Sequence, residues 1–171
     1  MKTRKRLSAL PLAGLILMVA AVAGLAQRHF NLASAARPEV KMSLSGGVER
    51  DSKLLALDKS TVVTKGEVLS WTIDAVNNGG APALEYKAVA RIPRGTEFVQ
   101  DSAKAEGAQP QFSIDGGKSY SPQPMIERKE ADGSVKRVPA PASMYTDIRY
   151  ELANPLAAGG KFSAAYKVRV K

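Results

Sequence analysis

The stretch FSIDGGKSYSPQP, residues 112–124, sets a carboxylate and an ammonium around two glycines at Asp115-Gly116-Gly117-Lys118. Such a group has three uses: it can cradle a phosphate, ligate calcium, or turn the chain. A phosphate loop opens a helix immediately, with Lys next to Ser or Thr. Ser121-Pro122-Gln123-Pro124 follows instead and forbids that helix. Phe112-Ser113-Ile114 alternates before the glycines and Ser119-Tyr120 returns after them. The expectation is a β-hairpin turn whose glycines supply positive φ.

Other reactive residues are sparse. There is no Cys, and the one His, His29, lies in the N-terminal segment. Without a retained His or any Cys, neither a Ser-His-Asp nor a Cys-His nucleophile can be assembled, nor a His/Cys zinc site. Paired carboxylates could hydrolyse sugars. The candidates are Glu127, Glu130, Asp147 and Glu151, which fall among basic neighbours or on outward strand positions and read as solvated surface charge. From Asp74, a calcium-loop spacing reaches Asn78, Gly79 and Glu85, but Val76 and Pro82 occupy ligand positions and the flanks are strands. The expectation is a protein that is not an enzyme and takes no cofactor or metal.

The N-terminus gives an address. Lys2, Arg4, Lys5 and Arg6 precede an apolar run from Leu7 to Ala26, and Ala33-Ser34-Ala35 offers a small-x-small cleavage site between Ala35 and Ala36. Residues 1–35 therefore read as a signal peptide. The alternative is an uncleaved signal anchor, with residues 7–26 crossing the inner membrane as a hydrophobic helix. With no Cys to acylate, a lipid anchor is excluded. Either reading exports the rest of the chain to the periplasm, the cell surface or the medium. Five of the 25 Lys and Arg residues lie before Ala36, so the net charge falls from +9 to +4 beyond it, 20 basic against 16 acidic. No concentrated basic face with interleaved aromatics calls for nucleic acid.

The exported 136 residues must position any site with strands and turns. Over Lys161–Lys171, Phe162, Ala164, Tyr166, Val168 and Val170 alternate with polar or small residues, which predicts a half-buried strand. The same period places Leu69, Trp71, Ile73 and Ala75 on one face of Glu67–Asn77, with Trp71 as the expected core anchor against an opposite sheet. Further strands are predicted at Leu84–Ile92 (Tyr86, Ala88, Ala90 and Ile92 inward), Thr96–Val99 and Thr146–Leu152, with weaker ones at Val40–Leu44 and Lys53–Leu57. Asn77-Asn78-Gly79-Gly80-Ala81-Pro82 reads as a loop. About seven to nine strands and no long amphipathic helix predict an all-β, two-sheet sandwich.

The order of these segments resembles a known family. Thr64-Lys65-Gly66-Glu67, Trp71-Thr72-Ile73, Asn77-Asn78-Gly79, Ile92-Pro93-Arg94-Gly95-Thr96-Glu97-Phe98-Val99, the 112–120 stretch and Asn154-Pro155-Leu156-Ala157-Ala158-Gly159 together resemble the bacterial conserved repeat domain, also called domain of unknown function eleven. The resemblance covers roughly residues 54–171, in a single copy. It implies an immunoglobulin-like sandwich in a cell-envelope or secreted protein, usually a spacer or adhesive unit, with no catalytic residues to carry over. The chain departs from the family at Ala90, where members often carry Asp. Three segments follow: 1–35 for export, 36–57 with the first strands, and 58–171 as the immunoglobulin-like domain.

Two surfaces could bind. Arg128, Lys129, Glu130 and Asp132 flank an Asp-Gly turn and form a candidate contact loop for another envelope protein, if they are more than a solvated hairpin tip. Lys161, Lys167, Arg169 and Lys171 form a basic strip along the last strand. That strip reads first as a lysine guard on an edge strand, and alternatively as a site for anionic wall or capsule polysaccharide.

Overall fold

Apolar residues at every second position force an extended chain to bury one face and show the other. The computed structural model describes residues 36–171, where this rule produces eleven antiparallel strands and no α-helix. They are β1 (Val40–Arg50), β2 (Lys53–Ala56), β3 (Val68–Asn77), β4 (Lys87–Arg91), β5 (Thr96–Phe98), β6 (Lys104–Ala105), β7 (Ala108–Ser113), β8 (Met125–Lys129), β9 (Val135–Pro139), β10 (Asp147–Leu152) and β11 (Lys161–Val170). Residues 1–35, expected to be an export segment, lie outside the described residues, including Ala35, and Ala36 is the first described residue.

A large sheet runs β2-β1-β3-β11-β5, with β6 also on β11; a small sheet runs β4-β10-β7; among the described residues β8 and β9 pair only with each other. The first strands thus share a sheet with β3 and β11. One apolar cluster joins the large and small sheets in a sandwich-like packing. Leu69, Ile73 and Ala75 from β3 and Phe162, Ala164, Tyr166 and Val168 from β11 meet Ala88 and Ala90 from β4 and Ile148 and Tyr150 from β10. The alternation predicted for β3, β4, β10 and β11 matches these buried sets.

The anchors of this core are two tyrosines rather than Trp71. Tyr150 of the small sheet donates its hydroxyl to the Ala165 carbonyl of the large sheet at 2.8 Å. Tyr166 of the large sheet donates to the Arg91 carbonyl of the small one at 3.3 Å. Each ring spans the core and satisfies its polar tip on the far side. Trp71 does point inward, but it sits half-buried at the margin, over Gly46 of β1 and Leu57. A Cβ on Gly46 would lie 2.8 Å from Cζ3 of the indole, so the ring occupies space that only glycine leaves open.

Burial raises both tyrosine pKa values, that of Tyr166 to about 12. The folded state therefore holds these protons more tightly than an unfolded chain, where tyrosine titrates near 10. The associated stabilisation is complete below pH 10 and is lost as pH rises through about 12. Urea midpoints should hold up to pH 10 and then fall; a midpoint unchanged between pH 10 and 12 would contradict buried phenols.

Candidate functional site

The Asp115 turn is built as a self-contained knot. One carboxylate oxygen accepts from the Ser113 hydroxyl (2.7 Å) and the Lys118 and Ser119 amides (3.0 Å each); the other accepts from the Ser119 hydroxyl (2.5 Å). These bonds, led by those from Ser119, push the carboxyl well below the usual range. Gly116 and Gly117 take φ of 76° and 86°, and Phe112 and Ser121 exchange two backbone bonds that close the loop. The chain reverses here as expected, but as a loop closed by a single bridge between Phe112 and Ser121, with no paired return strand as a hairpin would have. Its carboxylate is spent on the amides and hydroxyls of its own loop.

The loop folds over the outer face of the small sheet. Arg149 lies 4.3 Å from the centre of the Tyr120 ring, and the Gly116 amide donates to Thr146 at 3.1 Å. Beneath it Asp147 is buried, with one oxygen 3.6 Å from Arg91 Nε. This corrects its expected place among solvated charges: outward from the strand is inward beneath the loop. Glu151 remains outside, between Lys87 (3.4 Å) and Arg149 (3.5 Å). The Tyr120 hydroxyl is raised in pKa, first by burial and then by the Asp147 charge. This cluster attaches the loop to the sheet.

The calcium-spaced residues do not form a cradle. Asp74 is exposed on β3, and the loop is organised by its neighbour Asn77, which is fully buried. Asn77 Oδ1 accepts from the Glu39 and Gly79 amides (3.0 and 3.1 Å). Its Nδ2 donates to the carbonyls of Ala81, Leu156 and Ala157 at 2.8, 2.9 and 3.2 Å. Five backbone groups from three chain segments thus meet on one amide. The Asn-rich composition marked a loop but gave no sign that one side chain would hold it together.

The basic strip is placed differently from the edge strand expected of it. β11 lies inside the large sheet, with β3 along one side and β6 (beside Ala164–Ala165) and β5 (beside Val168–Val170) on the other, so Lys167 and Arg169 line no edge. A chain's last strand need not be a sheet's last strand, because pairing is set in three dimensions. Lys167 binds Glu49 at 2.7 Å, and Arg169 stands opposite Glu97 in the register. Lys161, Arg169 and Lys171 are exposed. Acidic side chains from β1 and β5 therefore interleave with the strip.

The candidate contact loop proves to be the end of a two-stranded arm. β8 and β9 pair from Met125↔Pro139 to Lys129↔Val135, and Ala140 bonds back to Pro124 at the base (2.8 Å). The tip turns through Glu130 and Gly133, where Ser134 donates its amide and hydroxyl to Asp132 (2.9 and 2.6 Å). Arg128 reaches Glu130 at 2.9 Å. Ile126 and Val138 are half-buried near the base; Arg128, Lys129, Asp132, Val135 and Lys136 are exposed. Arg128 and Lys136 stand directly opposite each other, a like-charge pair eased by the Arg128–Glu130 contact, and the adjacent pair Glu127↔Arg137 is of opposite charge.

Comparison of the chain with family models, with curated proteins and with solved structures finds no match.

Proposed function

We propose that this chain is an exported, non-enzymatic interaction module of the bacterial cell envelope, an immunoglobulin-like sandwich whose β8–β9 arm docks another envelope protein. The observation that carries this reading is the arm itself. A two-stranded ribbon is marginal in water without a third strand or a covering face. Among the described residues it pairs with no third strand, and it carries Arg128 against Lys136. An acidic partner surface would relieve that repulsion and cover the exposed faces. The basic n-region, the apolar run 7–26 and the resemblance to the conserved repeat domain support the envelope assignment. The reading needs no cofactor, no nucleic acid and no contact with the membrane beyond an uncleaved N-terminal helix.

In-cell crosslinking of the tagged full chain, followed by mass spectrometry, tests it. The expected result is one reproducible envelope protein, with capture falling about tenfold in the Arg128→Glu, Lys136→Glu double variant, as for a desolvated charge contact. Capture that is indifferent to the arm would overturn the docking surface. If no protein is captured and salt releases the chain from the wall fraction, it binds anionic polymer instead, through Lys161, Arg169 and Lys171.

A further inference from the structure

The large sheet is wider than the small one, and the excess is left at β1. Met42 and Leu44 point to the same side as their partners Ala75 and Ile73, which are in the core, yet they are 51% and 48% exposed. The backbone there is open as well. β2 pairs only with Gly47–Arg50, and Leu57 donates to Gly46 at 2.8 Å. In an antiparallel ladder, alternate residues face alternate neighbours. Glu39 accepts from Asn78 beyond the end of β3, whereas Gly46 accepts from Leu57 on the far side. The amides and carbonyls of Val40, Met42 and Leu44 therefore point away from β3, into an edge with no strand beside it among the described residues.

We propose that this edge pairs with the same edge of a second copy, antiparallel about a two-fold axis through Met42. The segment Val40-Lys41-Met42-Ser43-Leu44 is complementary to itself. Any centre from Val40 to Leu44 keeps open groups facing each other, but those on Val40 and Leu44 set Met42 against Pro38 or against Gly46, which is already bonded to Leu57. Centring on Lys41 sets two ammonium groups opposite, which is repulsive. Centring on Ser43 puts the second copy's Val40 opposite Gly46, where Leu57 already bonds. Centring on Met42 sets Met42 against its own counterpart and Val40 against Leu44. Apolar side chains then line one face from both copies and each open residue gains a partner. Lys41 of the second copy falls beside Ser43, whose other neighbour in that row is the exposed Asp74. Opposite charges thus flank the seam on the outer face. The contact is isologous, as two-fold symmetry requires. It lies on β1, away from the arm, and stands whether or not the arm docks a partner.

The chain has no Cys, so single-cysteine variants of the full-length protein in mild detergent read the register cleanly. Facing residues of a hydrogen-bonded pair are about 5.5 Å apart at Cα, within disulfide range. Met42→Cys should give a disulfide-linked dimer on mild oxidation, about tenfold faster than Lys41→Cys or Ser43→Cys, which meet other residues across the seam. Met42→Pro removes an outward amide and the central side chain of the seam while leaving the neighbouring bonds to β3, and should make the sedimenting species monomeric with an unchanged circular dichroism spectrum. Faster crosslinking at 41 or 43 would overturn the register. A wild-type monomer at every soluble concentration would overturn the dimer.

Discussion

Replacing Asn77 by Ala should cost about 3 kcal/mol of folding stability, and replacing it by Asp about 4 kcal/mol, because buried polar groups left without partners cost about 1–3 kcal/mol each and a buried charge costs more. Alanine strands two amides, of Glu39 and Gly79, and three carbonyls, of Ala81, Leu156 and Ala157. Some of these groups lie near enough to the surface to find water, which keeps the cost below the full sum. Aspartate keeps the shape and the acceptor but turns an amide that donates to three carbonyls into a carboxylate that repels them. A domain of this size is stable by about 5–15 kcal/mol, so either change removes a large share. Urea unfolding measures it directly. The loop 78–82 and the 154–160 turn should lose exchange protection first, since Nδ2 joins them. An Asp variant as stable as the parent would show that the amide is dispensable.

Tyr150→Ala should cost about 4 kcal/mol, in the range measured for truncating a buried aromatic side chain. The ring is fully buried and packs against Phe162, with ring centres 6.3 Å apart. Its loss leaves a cavity between the sheets and frees the Ala165 carbonyl. Tyr150→Phe separates the two contributions. It keeps the ring and removes one hydrogen bond of 2.8 Å, so it should cost about 1 kcal/mol. A comparable loss in both variants would mean that the cross-sheet hydrogen bond, not the packing, dominates. Denaturant midpoints with a constant slope provide the comparison.

Much of this architecture could be read directly from residue order. Phe162, Ala164, Tyr166 and Val168 announce β11 because a period of two has only one structural meaning. Ala88 and Ala90 announce β4 in the same way, and Gly116 and Gly117 announce a turn because φ above zero suits glycine. Short, irregular strands were not legible: Lys104–Ala105 is two residues long, and Ala108–Ser113 carries Pro110. Their assignment rests on the neighbours that happen to run beside them.

For the candidate sites, the split follows the same line. Local pattern named the arm's turn through Asp132-Gly133 and the charges around it, since turn chemistry is local. Only the tertiary structure placed Arg128 opposite Lys136, moved the basic strip from an edge to the interior of a sheet, buried Asp147 under a loop, and gathered five backbone groups onto Asn77. Each depends on contacts between segments far apart in the chain. The all-β class, the main strands and the turns follow from residue order alone, because alternation and backbone preference act over a few residues. Which strand lies at an edge, which tyrosine spans the core and which carboxylate is dry are decided by how the sheets pack, because burial belongs to the assembled fold and not to any one segment.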